Sequence, residues 1–137
     1  YLKDLTHQLR LDELVRFTGA WGDMAAAYAL ATLTLVPSQV AEGFGRVPVE
    51  SMAMGVPVIA SALGAMQDTI LDGRTGWLVA PDRAEPWAAQ IEKALADKAH
   101  LAAVGQEGRA HVLSHYSREK MVAETLAVYD FLCLKHG

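Results

Sequence analysis

Between Val36 and Ala60 the chain reads VPSQVAEGFGRVPVESMAMGVPVIA, and no other stretch constrains the fold as much. It opens on the end of an apolar strand, turns through a glycine-flanked loop, forms a short helix and closes on a second apolar strand. From Val47 to Ala60 the only polar side chains are Glu50 and Ser51. A helix that is apolar nearly all round is expected to be buried, and an unpaired charge inside it costs several kcal/mol or shifts its pKa. Glu50 therefore needs a polar partner. Gly43 and Gly45 let the backbone approach a ligand closely. The helix start aims its unpaired N–H groups and positive dipole end at the same place. With Glu42 and Glu50 flanking the loop as acceptors, the stretch suits a phosphorylated, hydroxyl-rich ligand such as a sugar nucleotide.

The flanks carry the same pattern. Leu33–Val36, Val56–Ala60 and Trp77–Val79 are short continuous apolar runs, and Leu14–Thr18 (LVRFT) reads as a further strand ending at Gly19. Helical spacing relates Leu2, Leu5 and Leu9 near the start, Trp87, Ile91 and Leu95 within 85–96, and Leu101, Val104 and Val112 within 99–114. Met121, Leu126, Tyr129 and Leu132 line a last helix opened by Ser117 and Lys120. Asp23 is placed to cap a helix over 24–31, Gly64 opens a short one reaching Leu71, and Asp72-Gly73-Arg74-Thr75-Gly76 is a turn. Gly105 and Gly108 weaken the middle of their helix. Apolar strands alternating with helices predict an α/β fold, a Rossmann-like parallel sheet with helices on both faces and a helical C-terminal end. Ligands of such sheets bind beyond the carboxyl ends of the strands. Gly19, Ser38–Gly45 and Ser61–Gly64 should thus converge on one crevice.

A length of 137 residues is that of one domain. A net charge of -4 without a basic cluster excludes a nucleic-acid surface, and no apolar run is long enough to span a bilayer. The single cysteine, Cys133, cannot form an internal disulfide, which points to a reducing compartment, the cytoplasm. Its apolar neighbours make it read as core. His7, His100, His111, His115 and His136 fall in helical stretches without a nucleophile or carboxylate at a telling spacing, and read as surface or satisfied residues. No acidic pair or His cluster has metal-ligand spacing, so neither a metal nor a cofactor is expected. The chain opens on YLKDLTHQLRL without an initiator Met, the pattern of a piece of a longer protein.

The run PSQVAEGFGRVPVESMAMGVPVIAS, the later DGRTGWLVAP and the FTG at Phe17–Gly19 together resemble the donor-binding C-terminal domain of the retaining group 1 (family four) glycosyltransferases. Glu42 and Glu50 meet that family's E-x7-E spacing, and the likeness covers essentially the whole chain. The resemblance implies a GT-B architecture in which residues 1–137 form the donor-binding half-domain. It also implies metal-independent transfer of a hexosyl group from a nucleoside-diphosphate sugar, with retention at the anomeric carbon. Glu50 then holds the ribose hydroxyls, a charge-assisted pairing suited to a vicinal diol, and Glu42 lies beside the transferred sugar as the catalytic residue. Phe44, Gly45, Arg46 and Val47, with Gly43 ahead of them, match the segment whose backbone N–H groups meet the sugar and diphosphate. Gly19 and Trp21 fall where the base is contacted. Fixed N–H dipoles, the helix end and basic side chains stabilise the leaving diphosphate where its charge develops.

Position 46 is commonly aliphatic in that family, so Arg46 reads either as an extra phosphate contact or as a solvated charge. Gly64-Ala65 stands in place of a glycine pair, and Asp68 in place of a glutamate, where it also suits the first turn of a helix. The family's first strand of this domain, with its Arg and Lys contacts to the diphosphate, would precede Tyr1, as would the acceptor-binding domain. The chain alone is therefore expected to bind donor nucleotide weakly and not to transfer sugar. The acceptor, the oligomeric state and any membrane association of the longer protein stay open. A glycosidase using Glu42 and Glu50 as acid and base is disfavoured, because that chemistry needs no N–H donors at a helix end. A sugar-nucleotide epimerase, a phosphorylase of similar architecture and a non-catalytic nucleotide-binding module remain as alternatives.

Overall fold

A strand covered on both faces reads as a continuous apolar run, and Val58–Ser61 is fully buried at the centre of a three-stranded parallel sheet. The computed structural model describes residues 1–135. In chain order the elements are α1 (Leu2–Gln8), α2 (Met24–Leu30), β1 (Thr34–Val36), α3 (Arg46–Ala53), β2 (Val58–Ser61), α4 (Met66–Thr69) and β3 (Trp77–Val79). Three longer helices follow, α5 (Ala84–Ala96), α6 (Lys98–His115) and α7 (Arg118–Lys135). The strand order is β1-β2-β3, with Leu35 opposite Ile59 and Ile59 opposite Trp77.

Period-two alternation sorts the strand residues onto two faces. Val36, Val58 and Ala60 pack with Met52 of α3, Met66 of α4, Ile70 and Val112 of α6. Ile59, Trp77 and Val79 pack on the other face with Trp87 and Ala94 of α5 and Leu101 and Val104 of α6. Both faces carry helices, and the fold is the expected α/β class. Trp87 Nε1 donates to the Ala80 carbonyl at 2.9 Å, fixing α5 to the end of β3.

Helix α6 contributes to both faces, which it reaches by passing beneath the amino ends of β2 and β3. Gly105 and Gly108 make that passage. A Cβ on Gly105 would fall on the Gly55 carbonyl oxygen, and one on Gly108 would lie 2.9 Å from the Thr75 carbonyl oxygen. These glycines are therefore the contact surface of α6, a stronger reason for their presence than the propensity penalty read from the sequence. Crossing at the amino ends leaves the carboxyl ends of the strands free.

Three expectations are corrected. LVRFT is not a strand: residues 15–18 have no regular structure, and the local backbone bonds turn back on themselves, as from Val15 N to the Leu11 carbonyl. A strand needs a neighbour for its backbone groups, and no strand among the described residues lies beside this segment, whose Leu14 and Phe17 are exposed. Cys133 is exposed rather than core, because the face of α7 formed by Met121, Leu126, Tyr129 and Leu132 is itself exposed. His111 is not a surface residue: it is half-buried, and its Nε2 is shielded from solvent. His136 lies outside the described residues.

Candidate functional site

The loops that leave β1 and β2 at their carboxyl ends are locked together. Gly64 has φ +52°, and a Cβ there would lie 2.9 Å from Ala41 Cβ and 3.0 Å from the Glu42 carbonyl oxygen. Ala65 N donates to that same carbonyl at 3.3 Å. Gly45 has φ +70° and presses on Met66, whose Sδ would be 2.8 Å from an added Cβ. Gly45 needs glycine for its conformation, and Gly64 for both conformation and room. Ser38–Gly45 and Ser61–Gly64 thus converge as expected. Gly43 differs from its neighbours: a Cβ there would meet nothing within 4 Å, so its backbone faces open space.

Gly45 is also the N-cap of α3, and no side chain caps the helix start. The N–H groups at this start are left for an outside acceptor, and the helix dipole favours an anion there. Glu42 stands on the approach to this point. Its Oε1 accepts from Ser38 Oγ at 2.5 Å, a short charge-assisted bond that sets the carboxylate's direction. Ser38 was not among the sequence candidates, though a hydroxyl four residues before an acidic loop position is a signal that could have found it.

Helix α3 is not buried all round, contrary to the expectation. Pro48, Ser51 and Met52 are buried against β1, β2 and α6, but Val47 is 41% exposed and Met54 42%. Glu50 sits on the border between these faces, with its side chain 36% exposed. Half-solvated, it escapes most of the penalty of a buried charge. It still has two partners: Arg46 Nη2 lies 2.8 Å from Oε1, and Tyr28 OH donates to Oε2 at 3.3 Å. Tyr28 is only 5% exposed. Burial, then the negative charge of Glu50, pushes its hydroxyl above the usual tyrosine range, so it remains a neutral donor. Met24, Ala25, Tyr28, Arg46, Glu50, Ala53 and Met54 surround a hollow of about 350 Å³. Tyr28 was also missed, since nothing local in AAAYAL marks it as the partner of a residue far along the chain.

Phe44, half-exposed, stands edge-on to Tyr116 with ring centroids 6.0 Å apart. Tyr116 in turn meets His111 at 5.8 Å, and its hydroxyl donates to the Asp68 carbonyl at 3.3 Å. This aromatic run ties the glycine loop to α4 and to the end of α6. A second hollow, of about 990 Å³, lies between Phe44, Arg46, Tyr116 and the first half of α7. Arg46 borders both hollows. Gly19 and Trp21 belong to the exposed stretch 12–26 and line neither of them.

The fold is a parallel α/β sheet whose β1–α3 loop carries Glu42 and leads into the uncapped start of α3. The sequence profile described as "Glycosyl transferases group 1" matches residues 1–111, and the chain belongs to that family. The D-inositol 3-phosphate glycosyltransferase of Gordonia bronchialis is 35% identical over 131 residues, which cover 94% of this chain and 28% of that protein. Among solved structures, sucrose-phosphate synthase (tll1590) from Thermosynechococcus elongatus aligns with a TM-score of 0.90 and 35% identity, over 98% of this chain and 34% of the other. Anabaena Alr3699/HepE, solved in complex with UDP, aligns with a TM-score of 0.86 and 28% identity, over 93% and 37%. The same protein has been solved with UDP-glucose. This chain spans roughly a third of the length of the proteins it matches.

Proposed function

We propose that this chain is the donor-binding part of a glycosyltransferase that moves a hexosyl group from a nucleoside-diphosphate sugar to an acceptor, with retention of anomeric configuration. The observation that carries the reading is the uncapped start of α3 beside the open backbone of Gly43, with Glu50 one turn along the same helix. In this reading the N–H groups of the segment Gly43, Phe44, Gly45, Arg46 and Val47 receive the diphosphate and the sugar. Glu50 accepts from the ribose hydroxyls, and Glu42, aimed by Ser38, lies beside the transferred sugar. Gly19 and Trp21 flank the base. The donor-binding half is the C-terminal domain of a GT-B protein whose other domain holds the acceptor. UDP and UDP-glucose in the complexes of a 28%-identical relative support a nucleoside-diphosphate donor.

The diphosphate's charge grows as the sugar leaves, and fixed dipoles that need no reorganisation stabilise it most at that moment. The residues of this chain bind and orient. In this reading the acceptor comes from elsewhere, so the chain alone should bind donor nucleotide weakly and not transfer its sugar. A thermal-shift panel of UDP, GDP and ADP against this chain and Glu50→Ala tests the reading. One diphosphate should raise Tm in the wild type and fail to do so in the variant. Equal responses would remove Glu50 as the ribose ligand. In the longer protein, Glu42→Ala should lose transfer while still binding donor; near-normal activity would remove Glu42 from the site.

A further inference from the structure

Glu50 carries its carboxylate on a flexible stem at the border of α3, 36% exposed, so packing alone leaves that group free to swing. Two side chains restrain it. Arg46 Nη2 lies 2.8 Å from Oε1, but Arg46 is 82% exposed, and an i,i+4 pair on a helix surface holds a carboxylate only loosely. Tyr28 is the opposite case. Its ring is 5% exposed in a packed site, and its hydroxyl donates to Oε2 at 3.3 Å. The Val47 carbonyl, 3.5 Å away, is the more distant and the uncharged one of the two acceptors within reach, so the single hydroxyl proton goes to Glu50. The hydroxyl also keeps that proton, because burial and then the Glu50 charge hold its pKa above the usual tyrosine range.

Each carboxylate oxygen accepts two hydrogen bonds, so one donor on Oε1 and one on Oε2 leave a lone pair free on both. The Tyr28 bond fixes, from the protein side, which way those lone pairs point. Two vicinal hydroxyls then meet an acceptor that is already oriented, and the ligand does not have to immobilise it. We propose that Tyr28 is a positioning residue of the nucleotide site: its buried hydroxyl holds the Glu50 carboxylate in the orientation that accepts from both ribose hydroxyls. The proposal rests on the reading of Glu50 as the ribose ligand. Its consequence is sugar selectivity. A carboxylate fixed for two hydroxyls is left with an unpaired oxygen by a 2′-deoxyribose and rejects it. A carboxylate that swings can turn to the one remaining hydroxyl and loses less.

The test is titration of this chain, Tyr28→Phe, Glu50→Ala and the double variant with UDP, GDP and ADP and with their 2′-deoxy counterparts, followed by ligand-observed NMR. Tyr28→Phe keeps the packed ring and removes only the donor. For the base the wild type prefers, the ribonucleotide should bind about tenfold more tightly than its deoxy counterpart. Tyr28→Phe should narrow that ratio to about threefold or less, chiefly by weakening the ribonucleotide. Glu50→Ala should abolish the ratio, and Tyr28→Phe added to it should weaken neither nucleotide further, since a residue that acts through another then has nothing to act on. Equal weakening of both nucleotides by Tyr28→Phe would make Tyr28 packing alone and overturn the positioning role. So would an undiminished ribose preference in Tyr28→Phe, or further weakening in the double variant. These results leave the ribose reading intact, whereas a ribose preference that survives Glu50→Ala, or no binding by the wild type, overturns that reading and the positioning role with it.

Discussion

Ser38 Oγ lies 2.5 Å from Glu42 Oε1, so the carboxylate proposed to face the transferred sugar is held by a hydroxyl from its own loop. A hydrogen bond to a charged group is worth about 1.5–3 kcal/mol, and the pair's partial exposure places this one at the lower end. Ser38→Ala leaves the fold intact and frees the carboxylate to rotate. Transfer by a glycosyltransferase carrying this domain should fall about tenfold, with Tm of this chain lowered by about 5 °C. Unchanged transfer rates would mean that Glu42 needs no orienting donor.

The passage of α6 under the sheet gives a stability prediction. Alanine is the better helix former by about 1 kcal/mol, so a propensity argument has Gly105→Ala stabilising. The structure reverses the sign. The new methyl would meet the Gly55 carbonyl oxygen and Pro57 Cδ, the latter at 3.2 Å, and backbone cannot step aside as a side chain can. A loss of about 3 kcal/mol is expected in urea unfolding, allowing for the propensity gain. A stable Gly105→Ala variant would mean that α6 does not press on the Gly55 turn.

How much of this was legible in the sequence depends on the range of the forces involved. The runs at Thr34–Val36, Val58–Ser61 and Trp77–Val79, the Asp23 cap and the bounds of α5 and α6 follow from local pattern. The left-handed turn at Gly45 that leads into α3 was legible for the same reason, since glycine spacing and a following helix are local. LVRFT has the local pattern of a strand and lacks the neighbour that would make it one. The exposed flank of α3, the Tyr28–Glu50 bond and the contact of Gly105 with the Gly55 turn join residues far apart in the chain. None of them leaves a mark at either end. The apolar side chains of α7 were correctly placed on a helix, but periodicity gives a face without saying what covers it.

Gly43 separates folding from binding. A Cβ there meets nothing within 4 Å and its φ is not in the left-handed region, so Gly43→Ala should melt within about 2 °C of the wild type. A ligand lying against that backbone would feel the methyl directly. Nucleoside-diphosphate affinity is expected to drop about tenfold or more, measured by calorimetry on this chain. Full affinity in the variant would place the ligand away from the Gly43 backbone.

His111 supplies a pH dependence whose sign can be worked out. Its ring lies tilted beside His115, with centroids 4.6 Å apart, and its Nε2 is shielded from solvent. Burial first, then the neighbouring His115, holds its pKa below the ordinary imidazole value of 6.5, with the Thr69 backbone acting the other way. The folded chain therefore binds fewer protons at this site than the unfolded chain. The contribution to stability is fully present above about pH 6.5 and is lost as pH falls through the lowered folded-state value. His111→Leu removes the proton site and keeps an apolar side chain in its place. Melting curves from pH 8 to pH 5 should show the wild-type Tm falling on the acid side by about 1–3 °C more than that of the variant. Parallel curves would assign the acid limb to other groups and leave His111 as packing alone.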